Sequence, residues 1–214
     1  PYTTLFRSNT VTRFGTAAAQ AYGVPAMPVG QPGHCAFLWK HEPQAWRTGN
    51  DISGWAGSTE HGGIYIHWGN RGSYVLLMEE VYQEPEKFLA SERATWAATL
   101  AGSHALPLLQ TAVKLQPLNA GAWQTLTKSM ESAKDVPLAS WQSAARDLMQ
   151  AMGNFPVPLV ELLEPVEAKL EIKDDAARSR YVSAVAAAVA KGDEKVQHGC
   201  GQQALEELIS RHAS

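Results

Sequence analysis

The chain has 214 residues, 45% of them hydrophobic and 18% charged, with a formal net charge of −3. That balance describes an ordinary folded chain rather than a disordered one, and it offers no cationic surface for nucleic acid or an anionic membrane. No run reaches the ~18–20 apolar residues of a transmembrane helix, and two cysteines, Cys35 and Cys200, make no disulfide framework.

Residues 1–8, PYTTLFRS, look like the translated end of a common short-read sequencing adapter and are set aside from fold reasoning. On that reading the natural sequence starts near Asn9, in a reading frame cut at its 5′ end. Residues 9–22 then predict a helix. Asn9 or Thr10 caps it, Val11, Phe14, Ala18 and Tyr22 recur at helical spacing, and Gly23 suits the position just past its end. Gly15 lowers helix propensity and marks close packing against a neighbour.

Two prolines, Pro25 and Pro28, confine Val24–Val29 to a sheet edge or to irregular extended chain, because each removes a ladder donor. The turn Gly30-Gln31-Pro32-Gly33 delivers His34 at the head of an apolar strand, His34 to Trp39. Alternation puts His34, Ala36 and Leu38 on one face and Cys35, Phe37 and Trp39 on the other, so His34 and Cys35 cannot form a dyad with each other. A second strand begins near Trp46 and ends in a polar corner at Asn50 and Asp51. A histidine on one strand and an Asn or Asp on the next is the base-plus-orienter half of a cysteine nucleophile site.

In Gly23–Ala26, His34–Phe37 and Asn50/Asp51 the chain resembles the transglutaminase-like (papain-like cysteine) superfamily. There, a helix carrying the Cys is followed by a G-I/V-P-A-R segment, a turn, an H-A-W/F-V strand and a downstream Asp. The resemblance covers residues 9–80. It implies a thiol acyltransferase or hydrolase acting on a peptide or amide bond, with His34 as base and Asp51, or Asn50, fixing its tautomer. It also implies a nucleophilic Cys at or just before Ser8, which this sequence does not supply, so the chain as written is expected to be inactive. It implies no cofactor.

Ile52–Gly63 is a Gly- and Ser-rich loop without period. Its Trp55 and Glu60 read as a substrate rim, or else the segment is a packed surface loop with Trp55 as its anchor. Ile64–Trp68 and Ser73–Met78 predict a hairpin across Gly69–Gly72 that completes a small antiparallel sheet. His34, His41, Glu60, His61 and His67 crowd this half, but no metal-ligand spacing such as H-E-x-x-H or C-x-x-C is present, and no metal is expected.

Composition shifts after Tyr82 toward Ala, Leu, Glu and Lys. Helices are predicted at 84–101, 104–116, 119–133, 137–152, 157–171, 174–191 and 201–213. The segment Ala112–Asn119, followed by Ala122, Trp123 and Leu126, resembles the junction of a tetratricopeptide-like repeat, although no 34-residue period recurs. The expected architecture is therefore α+β. A partial transglutaminase-like core occupies 9–82, and an all-helical, repeat-like region occupies 83–214. The expected partners are a peptide or protein substrate for the first and a bound protein for the second, with no nucleic acid. The competing class is a non-catalytic scaffold whose helical region binds a partner.

Overall fold

The computed structural model describes residues 2–31, 34–42, 45–49, 71–133, 135–193, 197 and 200–212. The chain divides into two compact units, 1–73 and 74–214, and the α+β class holds: a helix with a small antiparallel sheet, then helices throughout.

In the first unit α1 spans Tyr2–Ala21, and three strands follow: β1 (Ala26–Gln31), β2 (His34–Glu42) and β3 (Ala45–Gly49). Helix α1 begins at Tyr2 rather than at an Asn9 cap, because residues 2–8 contain no Gly or Pro to stop it. It ends in a Schellman turn. Gly23 adopts φ +73° and its N–H donates to the Gln20 carbonyl at 2.9 Å, while the Val24 N–H donates to Ala19 at 2.9 Å. The strands lie in the order β1-β2-β3, both pairs antiparallel, with Gln31 opposite His34 and Phe37 opposite Gly49. Proline-bearing β1 takes the edge, where a missing donor costs least.

The buried face of α1 differs from the expected one. Thr12 and Thr16 are buried, whereas Val11, Phe14 and Tyr22 are exposed. The reason is Gly15: a Cβ at that position would overlap the Phe37 ring. The helix therefore meets β2 at Gly15, with Thr12 and Thr16 buried and Val11, Phe14 and Tyr22 left exposed.

The second unit comprises α2 (Arg71–Val81, its first residues lying before the division), α3 (Pro85–Leu100), a 3₁₀ turn (Gly102–His104), α4 (Ala105–Leu115) and α5 (Ala120–Ser132). It continues with α6 (Leu138–Met152), α7 (Pro156–Glu167), α8 (Asp175–Ala190) and a last helix, here α9 (Cys200–His212). One expectation is corrected here: Ser73–Met78 is no strand but part of α2. Leu77 and Val81 sit four apart and are both fully buried, so a helical period overrides the β-like composition of Ser-Tyr-Val-Leu-Leu. Ile64–Trp68, the other half of the expected hairpin, lies outside the described residues.

From α3 onward the observed helices follow the predicted ones closely, because several carry their own punctuation. Pro85 opens α3 and Pro156 opens α7. Asn119 caps α5, its Oδ1 accepting from the Ala122 N–H at 3.1 Å, and Asp174 caps α8 by accepting from Ala177 at 2.6 Å. The core runs through the whole unit, with Trp123, Leu148, Met152, Leu159 and Leu163 among its fully enclosed side chains. Pro165 lies inside α7, where it removes one helical donor and is only half buried.

Candidate functional site

Of the residues singled out as catalytic, only His34 is described, and only through its backbone. It opens β2, opposite Gln31 at the end of the β1–β2 pair. Asn50, Asp51, Trp55 and Glu60 lie outside the described residues. Strand β3 spans Ala45–Gly49, with Gly49 paired with Phe37, and the predicted corner follows it in sequence. Position 34 belongs to the alternating set of Leu38, which is fully buried; Phe37, the residue that meets α1 at Gly15, belongs to the other set.

The second unit carries two features with chemical content. The larger is a half-open groove of about 720 Å³ formed by α4, α5 and α6. Val113, Trp123, Leu126, Met130 and Ala144 make an apolar floor. The floor's indole is already used, the Trp123 N–H donating to the Pro117 carbonyl at 2.8 Å, while the Ser140 and Ser143 hydroxyls line the α6 side. The rims differ. Gln110 and Lys114 stand exposed on α4, and Asp147 and Gln150 stand exposed on α6. Among the described residues Lys114 and Gln150 have no hydrogen-bond or ion-pair partner, and Asp147 receives only a long 3.5 Å bond from Ser143. Trp123 and Leu126 stood out in the sequence only as part of a segment resembling a tetratricopeptide-like junction. The groove did not, because nothing in the spacing tells how far α6 stands from α4.

The other feature is a charged cluster that locks α9 to α7 and α8. Arg211 donates to the Val160 carbonyl at 2.9 Å and lies 3.7 Å from Glu164 and 3.6 Å from Glu167. Glu167, barely exposed, also accepts from the Tyr181 hydroxyl at 2.9 Å and lies 3.4 Å from His212 Nε2. Burial, then the charge and the hydrogen bond of Glu167, push the Tyr181 phenol far above the usual tyrosine range, against a smaller opposite pull from Arg211. The phenol is thus a fixed donor at any physiological pH. Sequence reasoning missed this cluster because its members come from three helices whose packing order the sequence does not state.

No protein-family model, no curated protein and no solved structure matches this chain. Among the described residues no group of three His, Cys, Asp or Glu side chains is placed to hold a metal ion, and no helix is long and apolar enough to cross a membrane. Tyr181 donates to Glu167 and Arg211 to Val160, Arg211 Nε and Nη1 and His212 Nε2 are buried without a hydrogen-bond partner, and the cluster lines no cavity named above, so it reads as a structural clasp. The groove, apolar below and charged at both rims, is a feature shaped to receive something.

Proposed function

We propose that the first unit is a transglutaminase-like core for thiol acyl transfer, hydrolysing a peptide or amide bond or passing the acyl group to an amine. The second unit, on this reading, is a tetratricopeptide-like helical region that binds protein. The observation that carries the reading is the order of parts. A helix closed at Gly23 leads into an antiparallel sheet whose middle strand opens with His34, and the neighbouring strand runs out at Gly49, next in sequence to Asn50 and Asp51.

In the chemistry proposed, a thiolate attacks the acyl carbonyl and forms a thioester. His34 takes the thiol proton and returns it to the leaving amine, and Asp51 or Asn50 holds the imidazole in the required tautomer. Trp55 and Glu60 border the substrate. No cofactor enters the scheme. Cys35 follows His34 directly on a strand, where neighbours alternate faces, and Cys200 belongs to α9 of the other unit. The resemblance puts the thiol at or just before Ser8.

The test installs that thiol. Ser8→Cys in the full chain should release a burst of nitrophenolate from p-nitrophenyl acetate above the parent's background from Cys35 and Cys200, and adding His34→Ala should abolish it. A burst unaffected by His34→Ala, or none at all in a folded protein, refutes the acyl-transfer reading.

A second reading is favoured by the alternation on β2. A base that serves a thiol on α1 needs to share the face that meets α1, and position 34 falls in the Leu38 set instead of the Phe37 set. On that reading the first unit is a non-catalytic scaffold and the helical unit alone acts, by binding. It predicts that no thiol introduced on α1 depends on His34.

A further inference from the structure

We propose that the groove between α4, α5 and α6 binds a peptide segment with an apolar centre, an acidic residue on one side and a basic residue on the other. The proposal deepens the reading of the second unit as a binding region, and it stands whether or not the first unit carries out thiol chemistry.

The argument starts from the floor. Val113, Leu126, Met130 and Ala144 line it with apolar groups, and the Trp123 indole N–H beside them already donates to Pro117, so the floor itself is apolar, with the Ser140 and Ser143 hydroxyls on its α6 side. Only apolar side chains gain by seating there. The volume, about 720 Å³, lies within the ~300–1,000 Å³ of sites that enclose an organic ligand, enough for a few side chains and far short of a folded domain. The groove is half open rather than enclosed, so an occupant need not be confined to it and a peptide segment can be seated there.

The rims select further. Lys114 on α4 is a cation without a partner among the described residues, and Asp147 on α6 is an anion whose only described contact is the long bond from Ser143. The two stand on opposite walls and form no ion pair with each other. An apolar occupant alone would leave both charges as they are. An occupant with an acidic group toward α4 and a basic group toward α6 meets both, and Gln110 and Gln150 beside them add amide donors and acceptors for its backbone. A uniformly acidic or uniformly basic peptide satisfies one wall and is repelled by the other.

The experiment uses the full chain and four fluorescein-labelled decapeptides read by fluorescence anisotropy. One has a Leu-Leu-Phe centre flanked by glutamate and lysine; the second and third carry the same centre with two glutamates or two lysines; the fourth keeps the mixed flanks around a Ser-Ser-Ser centre. The mixed-charge apolar peptide should bind tightest, and the serine-centred one should lose at least tenfold. Lys114→Glu and Asp147→Lys should each weaken the mixed peptide about two- to fivefold, the range of a partly exposed ion pair. The double variant should recover binding, since the peptide then docks in the reverse sense. Both positions are exposed, so neither change threatens the fold. Equal binding of the three apolar peptides, indifference to the two substitutions, or no binding to a protein whose circular dichroism shows it folded, would each overturn the proposal.

Discussion

Replacing Asn119 by aspartate exchanges one amide nitrogen for oxygen, and the structure assigns that nitrogen a specific task. The Asn119 side chain is buried at 3% exposure. Its Oδ1 caps α5 by accepting from Ala122, while its Nδ2 donates to Ser91 Oγ at 3.0 Å and to Glu92 Oε1 at 2.8 Å. Ser91 spends its only proton on the Ala112 carbonyl at 2.8 Å, so it has none to offer an introduced carboxylate. Asn119→Asp therefore keeps the cap but turns a donor into an acceptor that faces one carboxylate and one occupied hydroxyl. The lost bond to a charged partner is worth ~1.5–3 kcal/mol, against ~0.3–1 kcal/mol gained by a negative charge at a helix N-terminus. The net cost is about 1–2 kcal/mol at neutral pH, a fall in Tm of about 2–8 °C for a chain of this size.

The sign with pH follows. In the folded variant the introduced carboxyl has its pKa raised above the unfolded value by burial and by Glu92. Relative to higher pH, the variant gains stability that is fully present below the unfolded carboxyl pKa, ~3.9, and lost as pH rises through the raised folded value. The deficit against wild type should thus shrink on acidification, as the protonated carboxyl donates to Glu92 again. Urea unfolding at pH 4.5 and 7.5 reads this directly. Glu92→Gln should rescue the variant at pH 7.5 by supplying an amide donor. An Asn119→Asp protein as stable as wild type at pH 7.5, or one that Glu92→Gln fails to rescue, refutes the assignment of this network.

Arg211→Ala should free α9 and cost about 2 kcal/mol, because the buried guanidinium contact to Val160 is lost and Glu167 keeps fewer partners; amide hydrogen exchange should show α9 opening before α7. Tyr181→Phe should cost about 1–3 kcal/mol below pH 10 by removing the donor to Glu167. Since the phenol is held protonated in the folded state, that difference should shrink above pH ~10, where only the unfolded chain ionises this tyrosine, and urea midpoints at pH 8 and 11 would show it. Gly192→Ala should destabilise by about 1–3 kcal/mol, because the new Cβ would lie 2.6 Å from the Gly153 carbonyl and press on the Gln197 amide, and backbone cannot retreat as a side-chain tip does; unchanged thermal unfolding would contradict this packing.

Much of the second unit is legible from local chemistry. Asn119 and Asp174 announce helix starts through their own carboxamide and carboxylate, and Pro85 and Pro156 do so by lacking a donor that a first turn leaves unused. Gly23 likewise marks the end of α1, since the left-handed φ it adopts there penalises any side chain. Ser73–Met78 misleads because a short apolar run satisfies a strand and a helix equally, and only Leu77 and Val81 entering the core decide between them. The face of α1 misleads for a related reason: large residues mark a core face only when the neighbour stands at an ordinary distance, and Gly15 brings Phe37 closer than that.

The sequence by itself therefore determined what depends on residues a turn apart: where the helices from α3 onward begin and end, that a helix closed at Gly23 precedes a short antiparallel sheet, and which strand His34 opens. Tertiary structure alone decided what depends on residues far apart in the chain. The apolar groove exists because α6 stands off from α4, and the α9 clasp exists because Glu167, Tyr181 and Arg211 meet from three helices. Local signals are short-ranged because caps, turns and periodicity act through the backbone of neighbouring residues. The spacing between packed helices depends on the volumes of side chains from all of them at once, and no stretch of sequence carries that sum.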